Sequence, residues 1–306
     1  MKLFDLHCDT LVEAEKQGKD LLDNDLHLSV RRGRAYSPWI QCFAVWLSDD
    51  CRGEAAEQFS DRMIARFFAE TDRLNLRRCA SAEDLRTVCE TGGAGAVLTI
   101  EGGAALNGKL SRLTEFQKSG VKAIALTWNG GNELGDGAMV KRGKGLTPFG
   151  KQAVSEMERL HITVDVSHAS DRMFFDVAEL ATKPFIATHS DARRLCRHPR
   201  NLTDEQFCAI RDAGGIVGVN FYPPFLRKRG RASLDDILRH TEHFLSLGGE
   251  TTLCIGSDFD GASMPDGISG IESMEALCEH FLRHNYSERF LDALFFENAY
   301  RFFQTL

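Results

Sequence analysis

Histidines and carboxylates in this sequence stand where short apolar runs end. They are His7, Asp9, Glu101, His168, His189 and Asp258. Zn²⁺ and similar divalent ions take imidazole and carboxylate ligands, and catalytic sites keep one coordination position open for water. Two ions about 3.5–4 Å apart need a shared ligand, a role that suits the two oxygens of Glu101. These residue types therefore predict a two-metal hydrolytic site.

Each of these residues also has an ordinary structural interpretation. A His-x-Asp sequence can be a hydrogen-bonded core pair, and a glutamate at a strand end can cap the next helix. Asp258 and Asp260 stand in a Ser-Asp-Phe-Asp-Gly segment that is typical of turns. The combination favours the metal site, because chance is a poor explanation for such groups at five of eight strand ends.

Eight short apolar runs rich in β-branched residues would position these groups. They are Lys2–Cys8, Trp39–Leu47, Gly95–Ile100, Val121–Trp128, Ile162–Ser167, Pro184–Thr188, Gly215–Tyr222 and Thr252–Ser257. Continuous apolar runs are typical of parallel strands that are covered on both faces. Segments with helical spacing lie between them, for example Gly53–Arg78, Thr203–Ala213 and Leu234–Leu247.

Strands that alternate with helices predict an α/β fold, specifically a (β/α)8 TIM barrel of the metal-dependent hydrolase type. In such barrels the active site lies at the carboxyl ends of the strands. A doubly wound open sheet is the alternative, and the absence of a glycine-rich nucleotide-binding turn counts against it. We expect a single catalytic domain over residues 1–306, with an extra C-terminal helix over Ser287–Leu306.

Composition excludes several classes of protein. The 37 basic and 44 acidic residues give a net charge of −7, which is unlike a nucleic-acid-binding protein. Neither a membrane-spanning window nor a signal peptide is evident. The nine cysteines include no Cys-x-x-Cys pair and are interpreted as free thiols of a cytoplasmic protein. The oligomeric state is left open, with a homodimer among the options.

Other candidate motifs are weaker. His240-x-x-His243 and His280-x-x-x-His284 have helical metal-ligand spacing but no His-Glu-x-x-His pattern, and they are interpreted as surface histidines. No Gly-x-Ser-x-Gly turn is present, so a serine hydrolase would lack its nucleophile.

Several segments together resemble the renal (membrane) dipeptidase family, which belongs to the metal-dependent amidohydrolase barrels. The matching segments are residues 5–10 (DLHCDT), 99–103 (TIEGG), 165–170 (DVSHAS), 187–192 (ATHSDA), 197–201 (RHPRN), 219–222 (VNFY) and 256–261 (GSDFDG). They occur in order across nearly the whole chain and are closest to the family's soluble bacterial branch.

The resemblance implies a cofactor and roles for individual residues. Two zinc ions are expected, one held by His7, Asp9 and Glu101, and the other by Glu101, His168 and His189. Glu101 and a water or hydroxide would bridge the two ions. Asp258 matches the family's catalytic acid and base, and Arg200 matches the arginine that receives the substrate carboxylate.

One position departs from the family pattern. Animal members carry Leu-Thr-His after the fourth strand, whereas this chain has Trp128 and Asn129 there. The indole N–H still donates a hydrogen bond, and Asn129 or Asn132 is expected to supply a donor in place of the histidine. Tyr222 and the loop 130–145 are expected to line the pocket for the leaving residue.

The predicted activity is hydrolysis of the peptide bond of dipeptides, L-Xaa-L-Xaa and also L-Xaa-D-Xaa. A related amidohydrolase acting on an N-acyl amino acid or a lactam is an alternative. A cyclic-ester or phosphoester hydrolase is disfavoured because the fourth strand lacks a lysine suited to carbamylation. A catalytically silent barrel that binds a ligand is the alternative from a different class.

Overall fold

The computed structural model describes residues 1–306. Its strands are β1 Leu3–Cys8, β2 Trp39–Trp46, β3 Arg77–Arg78, β4 Ala94–Glu101, β5 Val121–Ala125, β6 Thr163–Asp165, β7 Val217–Val219 and β8 Leu253–Ile255. Its α-helices are α1 Thr10–Gln17, α2 Val30–Gly33, α3 Gly53–Arg73, α4 Ala82–Thr91, α5 Ser111–Lys118, α6 Pro148–Arg159, α7 Asp171–Leu180, α8 Asp204–Asp212, α9 Pro223–Leu226, α10 Leu234–Ser246, α11 Met274–Arg283, α12 Glu288–Asp292 and α13 Asn298–Phe303. Two 3₁₀ turns (Gly103–Leu106 and Ile271–Ser273) and one π-helical turn (Ala293–Glu297) complete the elements.

Seven of the strands form one curved parallel sheet. Their spatial order is β6-β5-β4-β2-β1-β8-β7, and the short β3 pairs with β4 beside this path. Every pairing is parallel, so all strands direct their carboxyl ends to the same edge. The predicted α/β class with a parallel sheet is confirmed.

The predicted strand Pro184–Thr188 is not a regular strand. It makes only single parallel bridges, from Ile186 to Asp165 at the end of β6 and from Ala187 to Val217 in β7. The structure also contains β3, which the apolar pattern did not predict because both of its residues are arginines.

Helices cover the sheet, and their predicted boundaries agree closely with the structure. Thr203 begins α8 with a capping box in which its side chain accepts from Gln206 N, as the Thr-x-x-Gln sequence predicts. Ser170 caps α7 by accepting from Met173 N. The helix predicted over Gly53–Arg78 ends earlier, at Arg73, because Asn75 adopts a left-handed φ of 49° before β3 begins. None of the helices combines the length with the hydropathy that a bilayer-spanning segment requires.

The hydrophobic core has two parts. The larger contains 66 buried residues that lie mainly between the strands and the surrounding helices. The smaller contains 16, including Phe4 and Leu6 of β1, Ile40 of β2 and the C-terminal residues Phe296 and Phe303. Phe4 packs against Phe303 with ring centroids 5.2 Å apart. The C-terminal helical segment is thereby anchored on the first strand, at the edge opposite to the functional groups.

His240 is buried, so its interpretation as a surface histidine is wrong. Its Nδ1 accepts a hydrogen bond from Ala192 N (3.0 Å), and its Nε2 donates to Leu226 O (2.9 Å). The side chain therefore connects α10 to α9 and to the loop that follows residues 184–188. This arrangement requires a neutral imidazole, because a protonated Nδ1 cannot accept.

We expect His240 to make folding pH-dependent. Burial lowers the pKa of His240 to about 4, below the value of about 6.5 in an unfolded chain. The stabilisation is therefore complete above about pH 6.5 and is lost as the pH falls toward 4, by about 3 kcal/mol in total. Urea unfolding of the metal-free protein at several pH values, compared with His240→Gln, checks this. A glutamine can make both hydrogen bonds without titrating, so parallel pH profiles for the two proteins would contradict the assignment.

Candidate metal centre and its cavity

The carboxyl ends of the strands bring the predicted ligands together. His7 lies near the end of β1, and Asp9 is the first residue after that strand. Glu101 is the last residue of β4. His168 and Asp258 each lie three residues beyond a strand, β6 and β8 respectively. His189 follows the extended residues 186–187. The structure therefore places the predicted ligands at one edge of the sheet.

Glu101 stands at the centre of the cluster. Its Oε2 lies 3.3 Å from His7 Nε2, and its Oε1 lies 2.5 Å from His168 Nε2 and 3.6 Å from His189 Nε2. Asp9 approaches from the His7 side, at 3.7 Å from that imidazole. Two trios of ligand atoms, each within 4.8 Å, share Glu101: His7 with Asp9 and Glu101, and Glu101 with His168 and His189. His7 and His189 also form such a group with Asp258. One oxygen of Glu101 thus faces each trio.

Several of these atoms are buried without a hydrogen-bond partner. They are His7 Nε2, Asp9 Oδ1 and Glu101 Oε2. A buried polar atom that makes no hydrogen bond costs about 1–3 kcal/mol, so three in one place require a compensating ligand. Divalent ions would satisfy all three, and the residues present fit a two-ion centre.

Electrostatics at the centre match this requirement. Burial raises the pKa of Glu101 to about 7, with His7 opposing the shift and Asp9 adding to it. Burial lowers the pKa values of His168 and His189 well below 6.5, and the nearby positive groups His7 and Arg200 act in the same direction. Burial also lowers the pKa of His7, but Glu101 and Asp9 outweigh it and raise that pKa overall. Two imidazoles are therefore neutral, which is the form that binds metal.

Hydrogen bonds from the far side of each ring orient the second trio. His168 Nδ1 lies 3.2 Å from Asn129 Oδ1, and His189 Nδ1 lies 2.9 Å from Thr188 Oγ1. An Nδ1–H that donates to Asn129 leaves Nε2 of His168 as the ligating nitrogen. Asn129, predicted to bind substrate, therefore also contacts a predicted metal ligand.

Two buried aspartates fasten neighbouring strand ends together. Asp165 accepts from Ser167 N (2.8 Å) and Thr188 N (3.2 Å), so it joins the loop of His168 to that of His189. Asp5 accepts from Ser257 N (2.9 Å) and Ser257 Oγ (2.5 Å), which joins β1 to the residue before Asp258. A register shift between Asp5 and Cys8 lies in the stretch that carries His7. Such irregularities commonly redirect a side chain beside an active site.

Asp258 is held in an unusual backbone conformation. Its φ is +61°, in the left-handed region that aspartate tolerates better than most residues. Asn220 Nδ2 donates to Asp258 Oδ2 at 3.0 Å, which leaves Oδ1 free. Burial raises the pKa of Asp258, with His7 opposing and Asp9 adding to the shift. A Cβ at Gly261 would lie 2.0 Å from Asp9 Oδ2 and 2.5 Å from Asp258 Oδ1, so only glycine fits between the two carboxylates.

A cavity of about 230 Å³ opens over the cluster. Pockets that bind drug-sized ligands usually measure about 300–1,000 Å³. This cavity is smaller and suits a small molecule. Its lining includes eight of the ten predicted site residues: Asp9, Glu101, Trp128, Asn129, His168, Arg200, Tyr222 and Asp258. His7 and His189 do not line it, although both are buried directly beside Glu101.

Arg200 is the permanent cation of the cavity. It is 3% exposed, and its Nε and Nη1 are buried without hydrogen-bond partners. The guanidinium lies over the ring of Phe225, 5.4 Å from its centroid, and Phe225 packs edge-on against Tyr222 at 4.9 Å. Burial lowers the pKa of Arg200 to about 10, so it stays charged at neutral pH. An unpaired buried guanidinium that faces a cavity fits an anionic ligand.

The aromatic wall was predicted only in part. Trp46, the last residue of β2, packs edge-on against Trp128 with centroids 5.1 Å apart. Sequence reasoning missed Trp46 and the positioning residue Asn220, and it gave Asp5 and Asp165 no role. A signal existed for the aspartates, because each precedes a predicted histidine ligand by two or three residues. No comparable signal marks Trp46.

Comparison with known proteins identifies the family to which this chain belongs. The model for membrane dipeptidase (peptidase family M19) matches residues 1–306. The chain belongs to this family. Membership makes the protein a metallo-dipeptidase, a hydrolase of peptide bonds, and confirms the resemblance seen in the sequence.

Individual relatives agree with this assignment. A Klebsiella pneumoniae protein described as "uncharacterized protein in pqqA 5'region" is 38% identical over 236 residues, or 74% of this chain and 87% of that protein. An uncharacterized dipeptidase of Schizosaccharomyces pombe is 34% identical over 214 residues. That match covers 67% of this chain and 51% of the yeast protein, so the chain spans about half that relative's length. A Rhodobacter sphaeroides metallopeptidase, liganded with a phosphinate mimic of the dipeptide L-Ala-D-Ala, superposes with a TM-score of 0.92 at 27% identity, covering 99% of each chain.

Replacing Asn129 with alanine is expected to weaken metal binding. The change removes the acceptor that orients His168, and changes of this kind typically cost about 10–100-fold in metal affinity. Competition with a chromophoric chelator measures the effect. Asn132→Ala is the matched control, since its amide bonds only to the backbone at Leu126 and Leu134. Equal affinities in the two variants would show that Asn129 does not support the ligand.

Proposed function

We propose that the protein is a zinc-dependent dipeptidase that hydrolyses L-Xaa-L-Xaa and L-Xaa-D-Xaa dipeptides. The observation that carries this proposal is the placement of Glu101 between two trios of ligands, beneath a small cavity that also contains an unpaired arginine. The two trios of ligands would provide the hydrolytic chemistry. The unpaired arginine would recognise a carboxylate.

The proposed frame is a closed (β/α)8 barrel in a single domain over residues 1–306. Residues 184–188 would be the strand that joins β6 to β7. Backbone hydrogen bonds from Ile186 N to Val164 O (2.9 Å) and from Gly218 N to Ala187 O (2.8 Å) support this. All nine cysteines are free thiols, which fits the proposed location in the reducing cytoplasm.

The proposed metal ligands divide as the geometry suggests. His7, Asp9 and Glu101 would hold one zinc ion, and Glu101, His168 and His189 the other. Bound zinc lowers the pKa of a coordinated water toward neutrality and polarises a carbonyl group. The ligand set supplies two negative charges from Asp9 and Glu101, so the centre keeps a net positive charge that favours an anionic transition state.

Asp258 is the proposed general base and general acid. Its free Oδ1 would take the proton of the attacking water and deliver it to the nitrogen of the leaving amine. Asn220 holds Oδ2 and so fixes the direction of the carboxylate.

Arg200 is the proposed partner of the substrate's C-terminal carboxylate. Its buried, unpaired N–H groups favour a bidentate pair, and Phe225 keeps the guanidinium plane in place. Because this anchor and the metal ligands line one cavity of about 230 Å³, only a short peptide can reach both.

The remaining predicted residues form the walls. Trp128, Asn129 and Tyr222 line the cavity and are proposed to contact the substrate side chains. The Rhodobacter sphaeroides metallopeptidase binds a mimic of L-Ala-D-Ala, which supports tolerance of a D-residue at the C-terminal position. Trp128 takes the place of the histidine in the animal enzymes and offers only its indole N–H.

Two alternatives make different predictions on the same assays. An amidohydrolase specific for N-acyl amino acids or lactams would keep the need for a carboxylate but act on substrates without a free amine. A catalytically silent barrel that binds a ligand would contain well under two metal ions per chain and turn over none of these substrates. Elemental analysis together with a panel of L,L- and L,D-dipeptides and N-acetyl amino acids separates the three.

Asp258→Asn is expected to lower kcat for dipeptides by about 10²–10⁴-fold, the usual contribution of general acid–base catalysis. Asparagine also tolerates the left-handed backbone at this position, so the fold should be retained. Steady-state kinetics measure the loss, and elemental analysis should find the wild-type metal content. A variant with full metal content and wild-type kcat would rule out the proton-transfer role.

Arg200→Met is expected to raise KM and to lower kcat/KM for dipeptides by about 30-fold or more, since truncating one partner of a buried charge pair costs about 2–5 kcal/mol. Methionine is unbranched and can still pack against Phe225, but it has neither the charge nor the N–H donors of the guanidinium. Dipeptide amides are the control substrates, because they lack the carboxylate that Arg200 would bind. A loss of the same size on amides and free acids would contradict the anchor role.

A further inference from the structure

A second cluster of ligand-type side chains lies outside the cavity. It consists of Asp235 in the first turn of α10 and His280 and His284 at the end of α11. Their ligand atoms all lie within 4.8 Å of one another. None of the three lines the cavity over Glu101. The dipeptidase chemistry gives this cluster no role.

The two histidines have the spacing that places side chains on one face of a helix. His284 is the residue that caps α11, and its Nδ1 lies 2.9 Å from the backbone oxygen of His280. Only a protonated Nδ1 can make this contact with a carbonyl, so the hydrogen bond assigns the tautomer. Nε2 of His284 is then the nitrogen that stays available for a metal ion, as in histidines that bind metal.

His280 brings the cluster together across two helices. Its Nε2 lies 2.9 Å from Asp235 Oδ1, yet this buried nitrogen makes no properly directed hydrogen bond. A nitrogen and a carboxylate oxygen that approach closely without hydrogen-bond alignment are arranged as two ligands that share an ion would be. Asp235 and His284 are exposed, so an ion can enter from solvent.

We propose that Asp235, His280 and His284 bind one divalent transition-metal ion, separate from the catalytic centre. Two imidazoles and one carboxylate suit Zn²⁺, Ni²⁺ or Cu²⁺ and do not suit Ca²⁺ or Mg²⁺, which take oxygen ligands. Solvent water completes the coordination. The bound ion links the beginning of α10 to the end of α11, and this link stabilises the packing of the two helices because only the folded chain brings the three ligands together.

The test uses protein that contains two zinc ions per chain, enough for the catalytic centre alone, and Cu²⁺, the ion that such a site binds most tightly among the first-row metals. One equivalent of Cu²⁺ should bind without release of zinc. Its electron paramagnetic resonance spectrum should show coupling to two imidazole nitrogens, and thermal unfolding should shift to higher temperature.

His284→Gln removes one ligand from the exposed end of a helix and is expected to weaken Cu²⁺ binding by more than the 10–100-fold typical of outer-shell changes. His243→Gln is the matched control. It carries the same substitution and lies on α10, where its Nε2 is 2.7 Å from Asp204 Oδ1, outside the cluster. This control should keep the copper site and the thermal shift.

Either of two results would overturn the proposal. One is equal copper affinity in wild type and His284→Gln. The other is release of one zinc ion for each copper ion taken up, which would place the copper in the catalytic centre. Both readouts are independent of catalysis, so they stand whether or not the dipeptidase proposal holds.

Discussion

The desolvation of Glu101 is the constraint on which the rest of the site depends. Glu101 is 3% exposed, and Asp9 is buried beside it. Arg200 is the only permanently charged cation in the cavity lining. A buried carboxylate without a counter-charge is costly, and part of the cost here is visible as its pKa of about 7. The neutral imidazoles of His168 and His189 cannot supply the missing positive charge, and a protonated His7 supplies only one charge for two carboxylates. Divalent ions can, and they explain why the same residues leave three polar atoms without hydrogen bonds.

Such a centre needs a rigid surround, because ligands must stay in place when no ion is bound. Asp5 and Asp165 provide it in the same way on two sides of the site. Each is a buried carboxylate that accepts several hydrogen bonds from the next strand's loop, at Ser257 and at Thr188. The acceptors are saturated by the chain itself, so these aspartates do not compete for metal. These side-chain bonds add to the backbone bonds that continue past the short strands, for example from Asp258 N to His7 O (3.2 Å).

Sequence reasoning succeeded where the signal was local and repeated. Apolar runs located seven of the eight strands of the structure closely enough to order the ligands. The position of each polar group after a run predicted that His7, Glu101 and His168 would meet. Arg200 did not follow from this pattern, because it lies in an irregular loop and only the resemblance to a family singled it out. Trp46 and Asn220 depend on which strands become neighbours across the sheet. That information resides in the packing of the whole chain and not in any one segment.

The same distinction explains how the histidine pairs were interpreted. Spacing within one helix shows that His280 and His284 share a face, and it shows equally that His240 and His243 are near one another. It does not show what the neighbouring helix presents to them. His240 proved to be a core residue because Ala192 and Leu226 surround it, whereas His280 meets a carboxylate from a residue 45 positions earlier in the chain. A two-histidine motif alone therefore does not show that a metal ion binds. The third ligand, supplied by tertiary contact, determines whether the pair is a site or a surface feature.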